Sequence, residues 1–307
     1  MKRFIRLAML AMAVSLVSVP TVFLAEPRPQ DEPDPAAKGI DIYCTGFISE
    51  VPVARDFQIV GGEREYTRMN YVQGDVVYLN KGRESGVHSG AVYTVIRPLG
   101  EVVHPFNKKK MGTLVRELGL IRVLEVQAET ATAEVIVSCD TMTFGDALRP
   151  YETPTAPVAK EAGPLPRYAE GSGGTTGQIF LSRGYREYIA ANQVVFIDLG
   201  SRQGIKPGDS FTIFRKINNR ESIVTPPRDN VIVQRSEGFQ SDHYRGGELS
   251  VGATAEHESR VHKNRPELPR KVLGELVVLK VEKTSSVALV TRTNAEVNIG
   301  DFVERTF

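Results

Sequence analysis

Apolar and polar residues alternate strictly over ATAEVIV, residues 131–137. Ala131, Ala133, Val135 and Val137 fall on one face, and Thr132 and Glu134 on the other. A period of two predicts a strand with one buried face. SFTIFR (210–215) has the same period, with Phe211 and Ile213 together. IRVLEV (121–126) changes phase between Val123 and Leu124, and LVVLKV (276–281) does so at the equivalent place. Either a β-bulge re-aims each strand there, or both of its faces are covered. Neither half of the chain contains an amphipathic helical pattern of ten residues or more. The fold class is therefore all-β.

The strand pattern occurs twice. VVYLNKGRESGVHSGAVYTVIR (76–97) aligns without a gap on VVFIDLGSRQGIKPGDSFTIFR (194–215). Residues 119–148 align without a gap on 274–303, and GEREY (62–66) matches GYREY (184–188). The offset grows from 118 to 155, so the second copy carries 37 extra residues, within 217–272. Solenoid repeats are much shorter and need neighbours to bury a core. Units of roughly 100 residues bury their own. Two tandem small β-barrel or sandwich domains are expected. They span 42–150 and 177–307, the second with an insertion at about 217–272.

The flanks differ in composition. Residues 151–176 mix Pro, Gly, Ser and Thr and read as a flexible linker. Two domains on such a linker engage two partners, or one partner twice, with linkage raising avidity. Residues 26–41 are rich in Pro and acid and read as a disordered leader. Ahead of it, Lys2, Arg3 and Arg6 precede an uncharged run from Leu7 to Ala25. This is the layout of a signal peptide over 1–25, with cleavage near Ala25. An uncleaved membrane anchor is the other reading. No Cys follows the apolar run closely, which argues against a lipid anchor.

Charge changes the picture in one respect. The chain carries +1 overall, and without its first 25 residues it holds 35 basic against 37 acidic side chains. A nucleic-acid binder shows a basic excess on one face, and none is evident. The two cysteines, Cys44 and Cys139, permit a disulfide in an exported protein. Two separate buried thiols are equally compatible with the sequence.

The glycine-rich stretch GSRQGIKPGDSF (200–211) raises the question of phosphate binding. A P-loop needs G-x-x-x-x-G-K-[ST] opening a helix. Here Gly200, Gly204 and Gly208 are spaced by four, Pro207 follows Lys206, and a period-2 strand comes next. The first copy keeps Gly82, Gly86 and Gly90 but has His88 in place of Lys206. These six glycines are expected to supply positive φ in two successive turns, with Val87 and Ile205 plugging the core between them. Gly145 and Gly300 precede Asp146 and Asp301 at the last turn of each copy, where the carboxylates are expected to bond turn amides.

Other candidate chemistry is sparse. His88, His104, His243, His257 and His262 are scattered. His257 and His262 lie near Asp242, Glu256 and Glu258, but such a charged loop lacks the tight ligand set of a zinc site. Lys108–Lys110 form a short basic tip, read as solvated. No nucleophile-elbow motif accompanies any Ser, His or Asp. No catalytic, cofactor-binding or metal residues are assigned. The insertion, with Phe239 and Tyr244 among its charges, is the expected partner surface.

The repeated frame, G-[VI]-x-x-G-x-x-[YF]-x-V, then G-x-[IL]-x-V, an alternating strand and G-D-x-[LV], resembles the C-terminal domain of the flagellar assembly protein T family. It is equally similar to the β-domains that follow LysM modules in bacterial envelope proteins. The resemblance covers about 62–150 and 184–307. It implies a non-enzymatic protein of the periplasm or outer membrane, whose partners are other envelope proteins or peptidoglycan. Peptidoglycan or polysaccharide binding is the alternative reading, with scattered Tyr and no Trp to offer a sugar-stacking platform.

Overall fold

The alternating runs become strands in the computed structural model, which describes residues 37, 39–64, 69–154, 157, 163–216 and 269–306. The first module contains β1 (Phe47–Ser49), β2 (Ile59–Gly62), β3 (Asn70–Tyr71), β4 (Val76–Leu79) and β5 (Val92–Val103). It continues through β6 (Lys110–Val126), β7 (Ala131–Ser138), β8 (Met142–Thr143) and β9 (Ala147–Pro150). The second contains β10 (Tyr168–Ala169), β11 (Thr176–Ser182), β12 (Tyr188–Ile189), β13 (Val194–Ile197) and β14 (Ser210–Arg215). Its last strands are β15 (Arg270–Val281), β16 (Ser286–Thr293), β17 (Val297–Asn298) and β18 (Phe302–Arg305). A short helix, α1 (Ile40–Tyr43), precedes β1.

The second module closes into a six-stranded antiparallel barrel. Its order is β15-β14-β18-β11-β13-β16, and β16 pairs back onto β15. Closure leaves no exposed edge around the ring. The first module repeats the order as β2-β4-β7-β6-β5-β9. Its end strands meet at the Gln58–Ala147 bridge, flanked by hydrogen bonds from Ile59 N to Asp146 O and from Leu148 N to Phe57 O. Each interior is filled by the inward residues of the alternating strands. Val77, Val95, Leu118, Ile121, Ala133 and Val135 pack in the first. Val195, Phe211, Ile213, Leu273, Ala288 and Val290 pack in the second.

One explanation of the phase change holds in both copies, and the other is added in the second. Register shifts occur between Val123 and Glu125 in β6, and between Val278 and Lys280 in β15. The residue left over is Leu124 in the first module, where it is exposed, and Leu279 in the second, where it is buried. A bulge therefore re-aims both strands. Only in the second module is the residue left over also covered.

The cover comes from the first module, and it corrects the reading of a flexible tether. Ile48, Val102, Met111 and Leu114 of the first module share one buried cluster with Phe180, Val194, Phe196, Val277, Val287 and Leu289 of the second. Two domains that bury apolar surface against each other do not move as beads on a linker. Tyr168–Ala169, inside the supposed linker, form β10 and pair with Lys271 and Arg270. They occupy the place that β1 takes beside β6. Ala37, at the end of the supposed disordered leader, is buried in the shared cluster. β15 begins at Arg270, two residues inside the boundary expected for the insertion.

One sequence match is out of register. Gly62 pairs with Val77, and Ser182 pairs with Val195, so Gly62 corresponds to Ser182 rather than Gly184. The GEREY and GYREY segments are similar in letters and displaced by two in space. The signal segment 1–25 and most of the insertion, with Phe239, Tyr244, His243, His257 and His262, lie outside the described residues. Among the described residues no helix is long and apolar enough to cross a membrane.

Candidate functional site: the cleft between the modules

The glycine loops take the same shape in both copies. Gly86 and Gly204 end single 3-10 turns in the left-handed region, at φ 82° and 73°. Gly90 and Gly208 follow at φ 82° and 90°. Val87 and Ile205 are buried in the two cores, while His88 and Lys206 are exposed. Gly82 and Gly200 depart from expectation: their φ values, −127° and −139°, are extended. They are glycine for lack of room. A Cβ on Gly82 would sit 2.5 Å from Gln127 O, and one on Gly200 would sit 2.5 Å from Glu282 O. The loops bind the chain's own backbone, with Arg83 N donating to Gln127 O and Ser201 N to Glu282 O.

The last-turn carboxylates bond turn amides and also hold an arginine. Asp146 Oδ2 accepts from Thr143 N at 2.6 Å, and Asp301 Oδ2 accepts from Asn298 N at 2.7 Å. Arg97 grips Asp146 through two bonds, as Arg215 grips Asp301. Those carboxylates raise the pKa of both guanidiniums above the ordinary arginine value. Gly145 and Gly300 precede them at φ 86° and 99°.

Cys44 and Cys139 form a disulfide, with Cα atoms 5.8 Å apart. It fastens the segment before β1 to the end of β7. Beside it opens a cavity of about 260 Å³, lined on one side by Leu99, Leu114 and Glu117, and on the other by Phe196, Gly184 and Tyr185. A second cavity of about 240 Å³ lies beyond Glu117, against Tyr43, Tyr151, Arg149 and Lys280.

Glu117 stands between these cavities and is the most committed charge in the cleft. Its Oε2 accepts from Thr45 Oγ1 at 3.2 Å and Gly46 N at 3.0 Å. Its Oε1 accepts from Arg149 Nη2, and from Lys280 Nζ at 2.7 Å. Glu117 and Arg149 belong to the first module and Lys280 to the second, so the cluster is an ionic clamp across the cleft. Burial lowers the pKa of Lys280, against the opposing pull of Glu117. Burial likewise raises the pKa of the nearby Glu282 carboxyl. Both oxygens of Glu117 accept hydrogen bonds, and through them it joins the two modules. Among the described residues, no three His, Cys, Asp or Glu side chains converge as a metal site requires.

The tip of the β5–β6 hairpin makes a second contact across the modules. His104 is fully buried and stacks on Phe180 with ring centroids 5.2 Å apart. Its Nδ1 accepts from Phe106 N and Asn107 N, and its Nε2 lies 3.5 Å from Asp198 Oδ2. Phe106 packs against the core of the second barrel. Lys108–Lys110, on the far side of the tip, are exposed.

Glu117, Arg149, Lys280 and His104 carried no motif. Comparison of the two copies contained a signal for the clamp. By strand register, Glu117 stands where the second copy has Val272, Arg149 where it has Glu304, and Lys280 where the first has Glu125. Glu117 is charged where the other copy is apolar, and Arg149 and Lys280 carry the charge opposite to that of their counterparts; such differences mark a contact made only once. Neither the protein-family models nor the curated proteins include a match to this chain.

Proposed function

We propose that the chain is a non-enzymatic, exported protein of the bacterial cell envelope that acts as an assembly or scaffolding module. In this reading it works at the periplasm or outer membrane, with other envelope proteins as partners. The repeated turn-and-core frame resembles flagellar assembly protein T C-terminal domains and post-LysM β-domains, which is the source of the partner class. The observation that carries the export reading is the Cys44–Cys139 disulfide. Disulfides persist in oxidising compartments, and the basic-then-apolar segment over 1–25 is the type of signal that delivers a chain there.

A scaffolding role accords with how the charges are used. The buried carboxylates Glu117, Asp146 and Asp301 each hold an arginine, a lysine or a backbone amide. Fractionation of cells expressing the full chain, with non-reducing against reducing mass analysis, tests the reading. The expected result is an exported, oxidised chain. A reduced chain retained in the cytoplasm overturns it. Retention of the purified chain on protein-free peptidoglycan would favour polysaccharide binding over scaffolding.

A further inference from the structure

The two modules share a strand order but not a partner. The second is covered by the β5–β6 hairpin of the first. Phe106 lies over Gly300, so closely that a Cβ there would strike its ring. His104 covers Phe180, and Val102 and Met111 share a cluster with Val194 and Phe196. Ile299, beside Gly300, is only 2% exposed.

The first module presents the corresponding surface uncovered. Strand register equates Phe180 with Val60, Phe196 with Tyr78, and Ile299 with Phe144. Phe144 is 63% exposed. The β3–β8 register, continued by one residue, sets it opposite Met69, which is 77% exposed. Tyr78 is exposed as well, and a Cβ on Gly145 would meet nothing within 4 Å. Phe144 and Tyr78 each stand at a position that the β5–β6 hairpin covers in the second module, and large exposed apolar side chains of this kind mark an interaction site.

The chain also holds a counterpart of the covering arm. The β14–β15 hairpin is the second module's counterpart of the β5–β6 arm, and its connection, 217–268, is the insertion. The root of that hairpin does not dock on its own chain's first module. Leu114 anchors the first arm in the shared cluster, whereas its counterpart Pro269 is exposed.

We infer that the exposed face of the first module, centred on Phe144 and Tyr78, receives the β14–β15 hairpin of a second copy, so that copies associate head to tail. Such a contact is heterologous, and repetition closes a ring or extends a filament. Thr132 and Glu134 replace Val287 and Leu289 on the receiving face, so the contact between copies is more polar than the one within a chain. It therefore forms reversibly with concentration. This inference does not rest on the envelope reading.

Sedimentation velocity on the full chain over a concentration series tests it. The expected result is a mass that rises above the monomer with concentration. Phe144→Asp should shift the half-association concentration by about tenfold or more, as removal of a central apolar anchor does. Deletion of 217–268 should act likewise. The deletion variant keeps the receiving face and Phe144→Asp keeps the hairpin, so the two variants mixed should form a pair and nothing larger. A wild-type chain monomeric at every concentration overturns the inference. So does association that survives the deletion, or cover of Phe144 by the same chain's own hairpin. Should the deletion variant not fold, a photo-crosslinking residue at position 144 decides: capture of 217–268 from a second, isotope-labelled copy supports the inference, and capture of any other segment overturns it.

Discussion

Arg97 holds both carboxylate oxygens of Asp146 at 2.7 Å, across 49 residues of chain, and Arg215 repeats the grip on Asp301. The pairs tie β5 to the turn that opens β9, and β14 to the turn that opens β18, near the point where the strand ring is joined. Asp146 is buried and also accepts from Thr143 N, so its loss strands an arginine and an amide. Asp146→Ala should destabilise the chain by about 2–3 kcal/mol, the usual scale for hydrogen bonds to a buried charge. Asp301→Ala should cost a similar amount. Denaturant melts of the two variants check this, and a loss under about half a kcal/mol at both sites would contradict a joining role.

The arginine and aspartate of these pairs are both repeated letters, at the ends of the aligned segments 76–97 and 194–215 and in the G-D turn. Their pairing is not legible there, because a sequence repeat shows which positions recur and not which recurring positions meet. The alternation at 131–137 gave β7 directly, since one face is core and the other is not. Val194–Ile197 is apolar throughout because the first module covers its outer face. That cover comes from a distant hairpin, which local periodicity cannot report. The glycines were legible as turns, but Gly82 and Gly200 are required by a neighbouring backbone rather than by φ. The Glu117 clamp was illegible within either copy, since each copy supplies only part of it.

The clamp predicts an asymmetry between its members. Glu117→Ala leaves Arg149 and Lys280 in a buried cleft without their carboxylate, at a cost of about 3–5 kcal/mol. Lys280→Met removes a charge that burial disfavours and leaves Glu117 with Arg149, Thr45 and Gly46. Its cost should be nearer about 1 kcal/mol. Equal losses in thermal or denaturant unfolding would mean that Lys280 carries as much of the clamp as Glu117.

The disulfide should matter mainly through the unfolded chain. Cys44 and Cys139 are 95 residues apart, and closing a loop of that length contributes about 4.7 kcal/mol in the chain-entropy model. Reduction, or a Cys44→Ser, Cys139→Ser double variant, should lower the free energy of unfolding by that amount, with a lower midpoint, and leave the native far-ultraviolet spectrum unchanged. An unaltered midpoint on reduction would place the first module's stability elsewhere.

Acid should loosen the second module through Glu304. Its carboxylate accepts from Arg270 Nη2 at 2.8 Å and from Ser172 N at 3.1 Å. Burial opposes ionisation, but Arg270 and Ser172 outweigh it and hold the pKa below the ordinary 4.5. A carboxylate depressed in the folded state contributes stability that is present above its unfolded pKa and lost as pH falls through the folded one. The Tm should therefore decline below pH 4.5, and Glu304→Gln should lower the Tm at neutral pH while flattening that decline. Parallel acid slopes for the variant and the wild type would assign the acid sensitivity to other groups.

The cover of the second module can be read from two glycines that share a conformation but not a neighbour. Gly145 and Gly300 both sit at positive φ, so alanine at either carries backbone strain of about 1–3 kcal/mol. Only at Gly300 does the new Cβ also strike Phe106. Gly300→Ala should therefore cost about 1–3 kcal/mol more than Gly145→Ala, the scale of overpacking. In a Phe106→Ala background the ring is gone, and the two substitutions should cost the same. A double-mutant cycle on stability measures the coupling directly. Zero coupling between positions 106 and 300 would mean that the hairpin tip does not rest on the second barrel in solution.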